Sequence, residues 1–541
     1  MLLKNYVSKI KNNKFIIIMI LLLFLVLGIG AYLFFSSNES SQKDLIIYQK
    51  SLIDNSDCYS KSGNLYDLRM HDIIHESLTK YNYDTKKYEI RGLVDSVEDI
   101  SENNIIVGKK FILKSNIKFH NNKTLKPSDI LFTFKRGLEK DPNNVILNKL
   151  NIDKIASKCD DHNNVIEIYY KDNLDTSNML LELSRVYILN QEACTKDANN
   201  GFTIGLGFFY LAEFKVNEAD DVVLKRFNDF YDQSIKNKFS RIIFKKFADD
   251  ASAIQEINLT KDYTISLDIK SSNITPGSLN DKVKKMPVHG YSSYILMLNC
   301  HTTPLNVRKL IAQSLDMQKI FVELEVDPEY NFVPNNLIHD PDFIGYEKEP
   351  KISLRDPQEN FKDTQMKVQN LAPTDKKIKF IQSSQLSGVH KRISEKIVIV
   401  LKEVGFEVDS QMEDFNLMLK SCQNPDSQHN IVFLGNNWDN IDPSGDIKAY
   451  FYVSEPKSEG FDKIPFFQDT EFESLIKNID EIDPNISKQE RLKKIGEILS
   501  QKMPVYPIIG EKSGANQILF NSEIKDIKSY LGLIDLKNVF I

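Results

Sequence analysis

The sequence predicts a multi-domain α/β protein, exported and preceded by one N-terminal transmembrane helix. Three observations carry that expectation. Residues 15–35 form one uncharged apolar run. After it, short β-branched strands and amphipathic helices follow one another with no 20–50-residue repeat, which excludes solenoids and propellers. Finally, 41% apolar against 27% charged residues is enough to bury a core and too much for a disordered chain.

The run FIIIMILLLFLVLGIGAYLFF is about the length at which a helix crosses a bilayer. Lys4, Lys9, Lys11 and Lys14 precede it, which predicts a cytoplasmic segment 1–14 and export of the remainder. Two readings stay open, an uncleaved anchor and a removed signal peptide. The only small-x-small site in the run, at Gly28 and Gly30, would leave AYLFF at the new end, and no cysteine stands at its edge for lipid attachment. Residues 36–43, SSNESSQK, read as a polar spacer.

Beyond the spacer, strands are expected at 45–48, 109–113, 165–170, 222–226, 241–247 and 294–299, each rich in β-branched or aromatic residues. Helices are expected at 127–138, 307–315, 390–404, 470–479 and 488–501. The third is the clearest, because Ile393, Ile397, Leu401 and Val404 recur at helical spacing and Gly405 stops it.

Several chemistries are excluded. There is no G-x-x-x-x-G-K-S/T phosphate loop, no G-x-S-x-G and no H-E-x-x-H. Five cysteines without a C-x-x-C pair make a disulfide scaffold or a cysteine-based metal site unexpected. His71 and His75 stand at i and i+4 and could share a helix face, but no third ligand is identifiable, and the same spacing fits the polar edge of a helix. The Asp439 loop lacks oxygen ligands where a calcium loop needs them, at Ile441 and Tyr450. A net charge of −6 argues against a nucleic-acid partner for the whole chain. Neither an enzyme nor a cofactor is expected.

Six segments in order resemble a known family. HESLTKYN (75–82) is similar to an E-G-L-x-x-x-D helix end, and residues 109–138 to a strand, a K-F-H-D-G loop and a helix. IGLGFFYL (204–211) resembles I-G-T-G-P-Y-x-L, and VVLKRFNDFYD (222–232) resembles V-L-E-R-N-P-x-Y-W. PLNVRKLIAQSLDMQKI (304–320) and LGNNWDNIDP (434–443) resemble P-F-x-x-V-R-x-A-L-x-x-A-I-D-R and G-W-x-A-D-Y-x-D-P, and KMPVYPI and YLGLIDLKNVFI follow the same closing order. On these segments the exported chain resembles the bacterial extracellular solute-binding proteins of family 5, the oligopeptide/dipeptide-binding components of ABC importers. Phe208 and Phe209 replace a Pro-Tyr pair, Asn436 a tryptophan and Asn440 a tyrosine.

The resemblance implies a two-lobed, type II periplasmic-binding-protein-like clamp with an extra inserted domain. Lobe 1 would comprise 44–81, 196–275 and 500–541, the insert 82–195 and lobe 2 residues 276–499, with hinge crossings near 291–299 and 501–507. It also implies a peptide ligand, with Asp439 paired to the peptide ammonium and the backbone of Gly435 and Asn437 adding the peptide as a strand. Asn436 and Trp438 complete the candidate site. Asp439 could equally cap the turn at 442–445, and Trp438 could be packed rather than a pocket wall; Phe208 and Phe209 read as packing between segments. The implied partners are a permease and a separate ATPase of an ABC importer, the membrane through the N-terminal helix, and otherwise a monomeric exported part. Alternative readings keep the fold for a non-transport sensing or chaperone-like role, or for a non-peptide solute; an exported hydrolase lacks a nucleophile–base pair.

Overall fold

The computed structural model describes residues 43–541 except 52–55, 60–64, 86, 143, 145, 173, 214–220, 261, 289–290, 335–336, 339–344, 347–360, 385, 387, 425, 439–442, 452–465, 468, 482–485, 513 and 531. The apolar run 15–35 and the spacer up to 42 lie outside the described residues, as does Asp439. Among the described residues no helix is long and apolar enough to cross a membrane.

Two large sheets organise the chain. The first has seven strands in the order Val283–Pro287, Asn516–Asn521, Tyr263–Lys270, Asp44–Gln49, Arg241–Lys246, Val222–Arg226 and Phe209–Glu213. The second has six, in the order Asn331–Phe332, Val505–Glu511, Tyr291–Leu298, Ile431–Trp438, Lys377–Ser383 and Glu407–Glu413. A separate four-stranded antiparallel sheet, built from Val94–Glu102, Ile105–Leu113, Val165–Tyr169 and Cys159–Asp160, carries the insert.

The second sheet shows why its strands are continuously apolar. Side chains alternate across a strand, so a sheet covered by helices on both faces needs apolar residues at every position. Leu296, Leu298, Ile431 and Phe433 enter one core with Ile393, Ile397, Leu401 and Val404 of helix Gly388–Val404. Ile295, Met297, Val432 and Leu434 enter the opposite core, against helices Thr470–Lys477 and Lys488–Lys502. In the insert, Phe111, Ile166 and Ile168 pack on Ile130 and Phe134 of helix Pro127–Lys140. That helix starts at a proline, and Asp129 reaches back to accept the Lys126 amide at 2.9 Å.

The chain passes between sheets twice. Strand Val283–Pro287 pairs with Asn516–Asn521 in the first sheet, and Tyr291–Leu298 pairs with Val505–Glu511 in the second. The chain therefore crosses after Pro287 and after Glu511, and the two passages are joined by Val288 N donating to Asn516 O at 2.9 Å and Gly514 N to Val288 O at 3.1 Å. Lobe boundaries at 275/276 and 499/500, as the resemblance implies, would divide the chain elsewhere; the structure puts Val283–Pro287 with the first sheet and Val505–Glu511 with the second. Strand pairing decides this, since each segment reads locally as an ordinary strand.

HESLTKYN also differs from its expectation. Helix Leu65–Ile74 stops before it, and Thr79–Asn82 is a strand paired with Lys87–Ile90. The stop is made by IGLG: Gly207 N donates to the Ile74 carbonyl at 3.0 Å, capping the helix end. A Cβ on Gly205 would lie 1.8 Å from that carbonyl oxygen. His120, from the K-F-H loop, locks the same turn. Gly205 N donates to its Nδ1 at 3.1 Å, so the proton sits on Nε2, which donates to Gly207 O at 3.0 Å. Phe208 and Phe209 are buried in the first-lobe core.

Gly205→Ala should destabilise the chain by about 1–3 kcal/mol or more, because backbone must move to admit the methyl, read as a lower urea midpoint. A second prediction concerns pH. Burial lowers the His120 pKa from 6.5 to about 4. The unfolded imidazole protonates first on acidification, so stability is intact above 6.5 and falls as pH drops from 6.5 toward about 4. The loss should reach about 3 kcal/mol, with fully buried His75, lowered by burial and then by His71 and His120, acting in the same direction. His120→Gln, which can still accept from Gly205 and donate to Gly207, should flatten the melting temperature between pH 7 and 4.

Candidate functional site

A buried charge cluster lies where the sheets meet. Lys270 ends strand Tyr263–Lys270 of the first lobe, and Glu511 ends Val505–Glu511 of the second. Their side chains pair across the lobes at 2.6 Å, with the Glu511 side chain only 5% exposed. Burial alone would push the Glu511 carboxyl up, but Lys270 and then His390 outweigh it and hold it well below the usual carboxylate range. His390 sits in the first turn of helix Gly388–Val404, its Nε2 3.1 Å from Glu511 Oε1. At that distance the pair makes no hydrogen bond of good geometry. Burial, opposed by Glu511, lowers the His390 pKa from its ordinary value.

The imidazole stacks on Tyr294 with centroids 4.0 Å apart, and Tyr294 in turn stacks on Phe433 at 5.4 Å. Tyr294 is directly opposite Gly435 in the adjacent strand. Gly435 is exposed, and a Cβ there would meet the Tyr294 ring at 2.9 Å. On the first-lobe side, Asp268 receives Arg69 Nη1 and Nη2 at 2.7 Å each, while Arg69 Nε donates to Gly532 O at 2.9 Å. Asp268 stands at an irregularity in its strand with φ +60°, a left-handed conformation that the two-pronged guanidinium contact helps to hold.

The candidate residues Gly435, Asn436, Asn437 and Trp438 all lie on strand Ile431–Trp438. Their backbones stand opposite Tyr294, Ser293, Ser292 and Tyr291. The other edge of this strand pairs with Lys377–Ser383 only at Ile431, Val432 and Phe433. Residues 434–438 thus have one edge with no strand partner among the described residues. Lys270, Glu511, His390 and Tyr294 carried no motif in the sequence; His390 read only as a helix start. Among the described residues the five cysteines are free, and no three His, Cys, Asp or Glu side chains are grouped to hold a metal.

This geometry defines the class: two α/β lobes whose connecting passages run together, with a charged junction between them. The mixed α/β fold is that of the type II periplasmic binding proteins. Residues 92–458 match the family described as bacterial extracellular solute-binding proteins, family 5 middle. The chain belongs to that family, whose members bind solutes and are not enzymes. Among solved structures, it is similar to the oligopeptide-binding protein AppA from Bacillus subtilis in complex with a nonapeptide, at TM-score 0.73 and 14% identity over 92% of this chain and 98% of that one. It is also similar to a dipeptide-binding protein from Pseudoalteromonas sp. SM9913 in complex with Met-Leu, at TM-score 0.76 and 15% identity over 92% and 100%. A third, NikZ from Campylobacter jejuni in complex with Ni(L-His), has TM-score 0.75 and 14% identity over 92% and 100%. None of the curated proteins matches this sequence.

Glu511→Gln should keep the shape of the junction but leave the Lys270 ammonium without its counter-charge. Removing one partner of a buried pair costs about 3–5 kcal/mol, visible in urea unfolding. Lys270→Met should offset part of that loss in the double variant, and strictly additive effects would mean that the two side chains are not coupled.

Proposed function

We propose that this protein is an extracytoplasmic receptor that captures peptides between its lobes and delivers them to the permease and separate ATPase of an ABC importer, held at the membrane by residues 15–35. The observation that supports a peptide is the edge of residues 434–438 that has no strand partner among the described residues. An extended peptide added there gains main-chain hydrogen bonds whatever its side chains, which suits a receptor for varied sequences. Gly435 permits close approach, Asn437 offers further backbone, and Asp439 one residue beyond the strand supplies a counter-charge for the peptide ammonium. Asn436 and Trp438 flank it. A metal chelate is the second reading, favoured by the likeness to the Ni(L-His)-bound NikZ.

Calorimetric titration with mixed short peptides tests this. Asp439→Ala should keep the fold and weaken binding by about 10²- to 10³-fold, the loss expected for a buried charge without its partner. N-acetylated peptides should bind the unaltered protein as poorly. Equal affinity for free and acetylated peptides would remove Asp439 from the site, and saturable binding of nickel–histidine without peptide binding would favour the chelate.

A further inference from the structure

The insert touches the second lobe through a second buried ionic cluster. Asp480, in the turn after helix Thr470–Lys477, is 4% exposed. Its Oδ2 lies 2.6 Å from Lys448 Nζ and its Oδ1 2.8 Å from Lys488 Nζ, both within the second lobe. Lys149 of the insert reaches the same carboxylate at 3.0 Å and Glu182, also of the insert, at 2.6 Å. The Tyr170 hydroxyl donates to the other Glu182 oxygen. Main chain joins in: Asp175 N donates to Asp480 O at 2.9 Å, and Leu174 bridges Glu481. Arg491 fixes that turn by donating to the carbonyl of Glu481 at 2.9 Å.

The insert rides on the first lobe. Ile188 N donates to Glu76 O, His120 holds the IGLG turn, and Leu206 belongs to the insert's core. Contacts from the insert to Asp480 therefore bridge the cleft independently of the crossing strands. We propose that they form a closure latch, in which Lys149 and the Asp175 amide fasten the insert to the Asp480 turn whenever the lobes meet. The latch rests on the reading of the protein as a hinged clamp, but not on the identity of its ligand.

Such a clasp suits a reversible device. Opened, Asp480 and Lys149 regain water; closed, each has its counter-charge, so neither state strands a buried ion. Within the closed state Lys149, Lys488 and Lys448 together outweigh burial and keep the Asp480 carboxyl ionised. Lys448 lies on helix Ser444–Phe451.

Hydrogen–deuterium exchange on the full chain in detergent micelles, without ligand, tests the latch. In Lys149→Met, which leaves the Lys448 and Lys488 pairs in place, exchange at the Asp175 amide and at residues 435–438 should rise together by about tenfold, reflecting a shift toward the open clamp. Asp480→Asn should raise it at least as much. Unchanged exchange at Asp175 in Lys149→Met overturns the latch, as does faster exchange confined to Lys171 and Glu182, which would mark Lys149 as packing inside the insert. Because no ligand is present, latch variants that open in a protein indifferent to peptides would leave the latch standing and only the peptide reading refuted.

Discussion

A carboxylate at the junction of two lobes sets the terms for much of this structure. Glu511 is nearly out of water, and an isolated charge there would be expelled or neutralised. It stays ionised chiefly because Lys270 arrives from the first lobe, with His390 of the second lobe beside it. The final strand residues Lys270 and Glu511 therefore meet, beside the passages that follow Pro287 and Glu511. The same constraint orders the ring stack from His390 through Tyr294 to Phe433, and so fixes the surface beneath Gly435.

From that junction the architecture divides into a rigid part and an open part. Strands Tyr291–Leu298 and Ile431–Trp438 pair along their whole length and are buried on both faces through Leu434. Lys377–Ser383 follows Ile431–Trp438 for three residues and then pairs only with Glu407–Glu413. The divergence leaves 434–438 with one edge that has no strand partner among the described residues. A rigid neighbour on one side and an open edge on the other is the condition for adding an extended ligand without reorganising the receptor.

The first lobe and the insert are bound by different means. Their junction is made of backbone and imidazole, with the IGLG turn pressed against the end of helix Leu65–Ile74 and His120 bonded on both ring nitrogens. Such contacts tolerate little displacement. The insert meets the second lobe instead through paired ions and one strand bridge, which water can replace. This contrast assigns the rigid seam to one side of the insert and the separable one to the other.

Sequence alone determined the local elements and their order. Helix Gly388–Val404 was legible because Ile393, Ile397, Leu401 and Val404 report a period that neighbours along the chain enforce, and Val222–Arg226 was legible for its β-branched residues between polar turns. The apolar run 15–35, the missing catalytic motifs and the position of Gly435 to Trp438 in a family-like segment were legible for the same reason. Tertiary structure decided what separation hides. Lys270 and Glu511 are 241 residues apart, and nothing local distinguishes that lysine from its many alternatives. The same holds for Lys149 and Asp480, and for the sheet to which Val283–Pro287 and Val505–Glu511 belong. Periodicity is a property of neighbours along the chain; partner choice is a property of topology, and ions and strand edges find their mates only after the sheets have assembled.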